Sequence, residues 1–173
     1  MDTTTPAYDD IKDINIIDED DTKELEEVIV NNKLKRKINN SDDPEYLKTI
    51  IRSHYNHILS QLAIENNNCP KEILVEVLRR GKEDDMSYRA AKNKNCPVEE
   101  LVELYIGKYE WLKCGVVMNP NCPIYILIEV LSKFEDTGMS RSAYINKRSP
   151  KYLKEEWYSR INVVKKHEEF LKV

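Results

Sequence analysis

Apolar residues recur at intervals of three and four along most of the chain, in short segments that each follow a proline. After Pro70 the apolar positions are Ile73, Leu74, Val77 and Leu78. Similar stripes follow two further prolines, Pro97 and Pro123, at Leu101, Leu104, Tyr105, Ile126, Leu127, Val130 and Leu131. This spacing is the period of an α-helix with one apolar face. We therefore predict an amphipathic helix after each proline, with the proline as its first residue, where the missing N–H costs nothing.

A second, shorter helix is predicted ahead of each proline, ending at an asparagine. An apolar residue lies eleven positions before the proline and a small one seven positions before it, so the two share one helix face. These pairs are Leu59 and Ala63, Met86 and Ala90, Leu112 and Val116, and Met139 and Ala143. The asparagines are Asn40, Asn66, Asn93, Asn119 and Asn146. We expect their amides to bond neighbouring backbone, and we expect left-handed backbone in this tight turn.

The two predicted helices form a unit that repeats along the chain. The repeats are marked by Pro44, Pro70, Pro97, Pro123 and Pro150. Successive prolines are 26 or 27 residues apart, and self-similarity at a fixed period of this size is typical of solenoids. The predicted fold is all-α, a solenoid of four to five repeats of 26–27 residues, each with a longer α-helix and a short helix.

The repeat unit resembles that of a known family. Its pattern of two small or apolar residues, Asn-x-Asn-Cys-Pro and a Leu-rich helix extends from Ala90 to Leu104 and again from Val116 to Val130. This pattern resembles the leucine-rich repeat variant (LRV) family, over residues 44–157. The resemblance implies a right-handed superhelix of alternating α and 3₁₀ helices. The repeats here are longer than the family's typical unit, which favours full α-turns in the short helices and a HEAT-like array.

The two ends of the chain differ from the repeats. Residues 1–28 carry eleven acidic and two basic side chains, a net charge of −9, whereas the whole chain of 173 residues carries −4. We predict an acidic flexible arm over residues 1–21, a capping helix over 22–43, repeats over 44–149 and a second capping helix over 150–173. The last of these has an apolar face made by Tyr152, Leu153, Trp157, Tyr158 and Ile161. Terminal repeats need such caps because no neighbour covers their outer face.

The cysteines and histidines do not form a metal-binding pattern. Cys69, Cys96, Cys114 and Cys122 are 27, 18 and 8 residues apart, which matches no zinc or iron–sulfur motif. Because cysteine is a poor helix cap, we expect the three that precede prolines to form a spine of small buried side chains. His54 and His57 are neighbours on a helix face, with no acidic or cysteine ligand beside them. The LRV family can carry an iron–sulfur segment, but these cysteines do not cluster, so we predict no cofactor.

No sequence feature indicates catalysis or a membrane. A nucleophile–base pair, a phosphate-binding glycine loop and a positioned carboxylate pair are all lacking, so we predict that the protein is not an enzyme. The chain has no run of 18 apolar residues and no signal-peptide pattern at its start. We expect a cytoplasmic protein without membrane contact. The abundance of Asn, Lys and Ile hints at a low-GC bacterium or its phage.

Basic residues recur in the short helices and turns. They are Arg89, Lys92, Lys94, Lys113, Arg141, Lys147 and Arg148. Because the same part of every repeat faces the same side of a solenoid, they are candidates for a stripe along one surface. The competing interpretation is that these are ordinary solvated charges. Aromatic residues are the other candidates for a binding surface, namely Tyr88, Tyr109, Trp111, Tyr125 and Tyr144, although the same residues suit a core.

Two functions fit these patterns. The leading hypothesis is a non-catalytic scaffold that binds a protein partner through a few aromatic anchors, in a bacterial or phage setting as a modulator of a host factor. The alternative is a DNA- or RNA-binding solenoid whose basic stripe contacts phosphates. In that case the acidic arm regulates binding by folding back on the stripe. The arm also suits a solvating tail, or a run of carboxylates presented to a basic partner.

Overall fold

The computed structural model describes residue 28 and residues 31–53 and 58–170, with side chains up to Val163. The acidic arm, the start of the first capping helix, and His54 and His57 lie outside these residues. The chain divides into two compact units, residues 1–37 and 38–173. In the first unit, residue 28 and residues 31–37 are helical. All contacts discussed below lie within the second unit.

The described residues form helices joined by short turns. The helices are α1 (residues 31–39), α2 (Pro44–Ser53), α3 (Ile58–Glu65), α4 (Lys71–Arg79), α5 (Asp85–Lys92), α6 (Val98–Ile106), α7 (Glu110–Met118), α8 (Ile124–Ser132), α9 (Gly138–Ile145) and α10 (Lys151–Phe170). Over this part of the chain there is no β-strand, which confirms the all-α prediction. The two helices of a repeat have nearly equal lengths of eight or nine residues. The helices α5, α7 and α9 are α-helical throughout, so the 3₁₀ conformation implied by the LRV resemblance is not found there.

Each helix that follows a proline packs against the next helix in the chain, as α4 does with α5, α6 with α7 and α8 with α9. The second helices also contact one another in series, α3 with α5, α5 with α7 and α7 with α9. Small residues allow this close approach. A Cβ atom at Gly115 in α7 would lie 2.9 Å from the carbonyl oxygen of Tyr88 in α5. The core along this series contains the apolar and small residues Leu59, Ala63, Met86, Ala90, Leu112, Val116 and Ala143. Met139, by contrast, is half-buried.

Four of the five prolines occupy a different position from the predicted one, since Pro150 also directly precedes its helix, α10. Pro70, Pro97 and Pro123 are the N-caps of α4, α6 and α8, with extended ψ values of 143°, 143° and 133°. Their carbonyls accept the first helical N–H bonds, so each helix begins one residue later than expected. Pro44 is the first residue of α2, as predicted, and the carboxylate of Asp43 accepts bonds from the N–H groups of Glu45 and Tyr46 at 2.9 and 3.2 Å.

The predicted C-terminal cap contains a single helix, α10, that packs against α8. Leu153, Trp157 and Ile161 are buried and lie four residues apart, on one stripe. Tyr152 and Tyr158 are 65% and 56% exposed, so the prediction that they share the apolar face is wrong. Each lies one position away from the stripe and therefore points to its side.

Candidate functional site

The repeated asparagines form a continuous hydrogen-bonded row from turn to turn. The side-chain Nδ2 of Asn119 donates to the carbonyls of Ala91 and Asn93 at 2.6 and 2.7 Å. Asn93 donates in the same way to Ile64 and Asn66, and Asn146 to Val117 and Asn119, at 2.7–3.1 Å. Asn66 begins the row by donating to the carbonyls of Ile38, Asn39 and Ser41. We call Asn66, Asn93, Asn119 and Asn146 the asparagine ladder.

Each ladder residue also closes its own turn. The Oδ1 atom of Asn119 accepts the N–H of Asn121 at 2.7 Å, and the other ladder residues do the same two positions on. The backbone φ values of Asn93, Asn119 and Asn146 lie between −65° and −61°. The expected left-handed conformation is therefore wrong, whereas the expected bonding to backbone is confirmed. The side chain, rather than an unusual backbone angle, holds the turn.

The junction cysteines support the turn from inside. Cys69, Cys96 and Cys122 are buried, as predicted. Each N–H donates at 3.0 Å to the carbonyl of the ladder asparagine three positions earlier. Burial raises the pKa of each of these thiols to about 12. They are consequently protonated packing residues rather than nucleophiles.

Two neighbouring cavities are lined by residues of these turns. The first, of about 430 Å³, is lined by the α5 end and its turn, including Lys92 and Lys94, together with Glu65, Asn67, Arg89, Asn93 and Pro120. The second, of about 310 Å³, is lined by Met118, Pro120, Ser142, Ile145, Asn146, Lys147 and Arg148. Pro120 lines both, so the cavities adjoin. We call this combined surface the turn groove.

The charge of the turn groove comes from Lys92, Lys94, Lys147 and Arg148. All four side chains are exposed, and no ion pair holds them within the described residues. Arg89 also lines the groove, but its guanidinium is bonded to Glu65 at 2.6 Å and to Asp85 at 2.7 Å. It joins α3 to α5 and brings little net charge. Five of the seven basic candidates thus lie together.

The two other basic candidates, Lys113 and Arg141, and the aromatic candidate Trp111 lie outside the turn groove. Lys113 is bonded to Glu110 at 2.5 Å, and Arg141 donates from Nε and Nη2 to the two carboxylate oxygens of Asp136 at 2.6 and 2.9 Å. Trp111 stacks on Tyr88 with ring centroids 4.9 Å apart. Trp111 lines a separate cavity of about 450 Å³ beside the C-terminal end of α8 and the N-terminal end of α9. Cys114, Lys133 and Met139 also line this cavity. The ion pairs with Glu110 and Asp136 neutralise Lys113 and Arg141 locally.

The other candidate aromatics are scattered. Tyr109 donates its hydroxyl to the carbonyl of Gly81 at 2.8 Å, and Tyr144 packs on Trp157 with centroids 5.2 Å apart. Tyr125 is 58% exposed. None of these three tyrosines lines the turn groove.

Sequence reasoning missed the apolar part of the groove, which is made by Met118, Pro120 and Ile145. Each of these residues directly precedes or follows a ladder asparagine. The signal was present in the alignment of the repeats, because the position before the asparagine reads Glu65, Lys92, Met118 and Ile145 in order.

Within the described part of the chain, no group of three or more His, Cys, Asp or Glu side chains is placed to hold a metal ion. None of the described helices has both the length and the apolar composition needed to cross a membrane. Comparison of the chain with protein-family models, with curated proteins and with solved structures found no match.

Proposed function

We propose that residues 44–149 form a right-handed helical solenoid of the LRV or HEAT type, capped by α10, and that the protein is a non-catalytic scaffold for a protein partner. The serial contacts of α3, α5, α7 and α9 and the asparagine ladder that joins their turns support a solenoid. A solenoid binds partners through a surface repeated along its length. The turn groove is such a surface.

The observation that carries the proposal is the mixed character of this groove. Ile145 is 64% exposed although it is a large aliphatic residue, and it lies beside Met118 and Pro120. Exposed apolar residues rimmed by polar and charged ones are characteristic of protein-interaction sites. Lys92, Lys94, Lys147 and Arg148 supply the rim.

Nucleic acid is the second candidate, favoured by those same four cations. The groove offers a phosphate backbone at most four contacts, and Glu65 lies at one end of it. Arg89, Lys113 and Arg141 are already paired with carboxylates. A single strand that used all four cations would bind with a salt slope of about −3 on logarithmic axes. Phosphate contacts by the four cations would not use the apolar residues between them.

Parallel pull-downs from a lysate of the source organism, one with and one without nuclease treatment and each washed across a salt series, test the proposal. We expect the full-length protein to retain one protein in stoichiometric amount at high salt. The Ile145→Glu variant should lose it, and the Lys133→Glu variant should keep it, because Lys133 is an exposed lysine at the far end of α8. Recovery of nucleic acid alone, lost as salt rises, would sink the scaffold function.

A further inference from the structure

The turn groove presents the same position of three successive repeats in a row. Lys94, Pro120 and Lys147 each follow directly after a ladder asparagine. The row therefore alternates cation, apolar ring and cation. Lys92, before the first asparagine, and Arg148, after Lys147, add a second cation at each end. The middle of the row carries apolar groups, from Met118 and Pro120.

The spacing of this row follows from helix packing. The helices α5, α7 and α9 precede the three turns and contact one another in series. Packed helices lie about 8–10 Å apart. The two cationic ends are therefore separated by about 16–20 Å, with the apolar group midway.

One peptide conformation matches these intervals closely. A polyproline II segment has three residues per turn and rises about 3.1 Å per residue, so equivalent side chains recur every 9.3 Å or so. Residues 1, 4 and 7 of such a segment would face successive turns of the groove. In an antiparallel or parallel strand, residues on one face recur about every 6.7 Å, which does not match the helix spacing.

We propose that the turn groove binds an extended acidic segment of a protein partner, with carboxylates at positions 1 and 7 and an apolar side chain at position 4. The carboxylates contact Lys92 and Lys94 at one end and Lys147 and Arg148 at the other. The apolar side chain lies on Met118, Pro120 and Ile145. Charge complementarity favours this partner, because Lys92, Lys94, Lys147 and Arg148 form no ion pair with any described residue, whereas Arg89 is already paired with Glu65 and Asp85. The inference rests on the proposed scaffold function and specifies its partner.

The probe is a fluorescein-labelled peptide, Asp-Ser-Pro-Leu-Ser-Pro-Asp, titrated with the full-length protein and followed by fluorescence anisotropy. We expect saturable binding that weakens with added salt. Replacing the central leucine by serine, or deleting one Ser-Pro pair so that the carboxylates are two residues closer, should each weaken binding severalfold. A seven-nucleotide oligothymidine measured in parallel represents the nucleic-acid alternative.

Charge reversal in the groove locates the contact. The double variant Lys94→Glu/Lys147→Glu should bind the peptide about tenfold less tightly, since two exposed attractions become repulsions. The same variant should bind a Lys-Ser-Pro-Leu-Ser-Pro-Lys peptide better than the wild type does. This gain shows that the variant is folded. The matched control, Lys133→Glu, should leave both affinities unchanged.

Several outcomes overturn the inference. They are absence of peptide binding, binding that ignores the groove variants, insensitivity to the carboxylate spacing, or oligothymidine that binds more tightly and displaces the peptide. If the pull-down yields a protein that depends on Ile145 while the peptide fails, the acidic-segment inference falls and the scaffold function stands. If neither experiment detects a protein or peptide contact, both fall.

Discussion

Replacement of Asn119 by alanine isolates the contribution of the asparagine ladder to stability. Asn119 is fully buried, and its side chain makes three hydrogen bonds, to the carbonyls of Ala91 and Asn93 and from the N–H of Asn121. A typical intramolecular hydrogen bond contributes about 1 kcal/mol net. The carbonyl of Asn93 keeps a second partner, the N–H of Cys96, whereas that of Ala91 loses its ladder bond inside the core. This adds about 1 kcal/mol of desolvation, for a total loss of about 4 kcal/mol.

Urea denaturation followed by circular dichroism measures this loss. With an m-value of about 2 kcal/mol/M, the midpoint should fall by about 2 M. The matched control is Asn121→Ala in the same turn. Its side chain is exposed and donates to the carbonyl of Lys94 at 2.7 Å, a bond that water replaces, so the loss should be about 1 kcal/mol or less. Equal losses for the two variants would refute a structural role for the ladder.

The Asn119→Asp variant separates hydrogen bonding from side-chain volume. Aspartate has nearly the same size, but its ionised form turns an oxygen toward the two carbonyls that Asn119 Nδ2 now contacts. Burial and these carbonyls should raise the folded-state pKa of the new carboxyl above its unfolded value of about 3.9. The folded state then binds the proton more tightly than the unfolded state does. The variant's stability is therefore lost as pH rises from the unfolded-state pKa through the folded-state pKa, and it is regained as pH falls toward 4. A pH-independent stability difference from the wild type would contradict this.

Three further predictions concern packing, thiol chemistry and capping. Gly115→Ala should destabilise the protein by about 1–3 kcal/mol in thermal melts, because the added Cβ would lie 2.9 Å from the backbone of α5. The control Gly138→Ala, whose added Cβ would have no atom within 4 Å, should be neutral or stabilising. With a thiol-reactive dye at pH 8, Cys114 should react first because it is only half-buried. The junction cysteines should react only in urea, since burial raises their pKa to about 12. Fast labelling of four thiols in the native protein would contradict the buried spine. Thr137→Ala should cost about 1 kcal/mol, measured by urea denaturation, because it removes the side chain of the capping box that begins α9; an unchanged midpoint would show that the box is dispensable.

The sequence contained enough information for the helices and their repeat. Ile73, Leu74, Val77 and Leu78 were predicted to share one helix face, and all four are buried in α4. Helical periodicity is a local property, fixed by 3.6 residues per turn and by the preference of apolar side chains for one face. The repeated asparagine was also identified, together with its bonding to backbone. The acceptors could not be identified, because they lie 25–29 residues earlier in the chain.

The candidate site was predictable only in outline. Arg89 and Lys92 lie three residues apart on α5, and sequence gave them the same role. The structure pairs Arg89 with Glu65 in α3 and leaves Lys92 exposed on the groove. Arg141 was likewise a candidate cation, but its guanidinium forms an ion pair with Asp136, in the turn before α9. A charge is available to a partner only if no neighbour has neutralised it, and the neighbours depend on which helices pack together.

Sequence by itself determined the all-α class, the positions of the helices, the repeat of 26–27 residues and the residues that make each turn. These features follow from short-range geometry, which is written in residues three or four apart. Only the tertiary structure decided that the amides connect one repeat to the next, that Tyr152 and Tyr158 are exposed, and that Met118, Pro120 and Ile145 meet four cations in one groove. Those outcomes depend on side chains brought together across whole repeats, where a shift of one position around a helix exchanges a buried face for an exposed one.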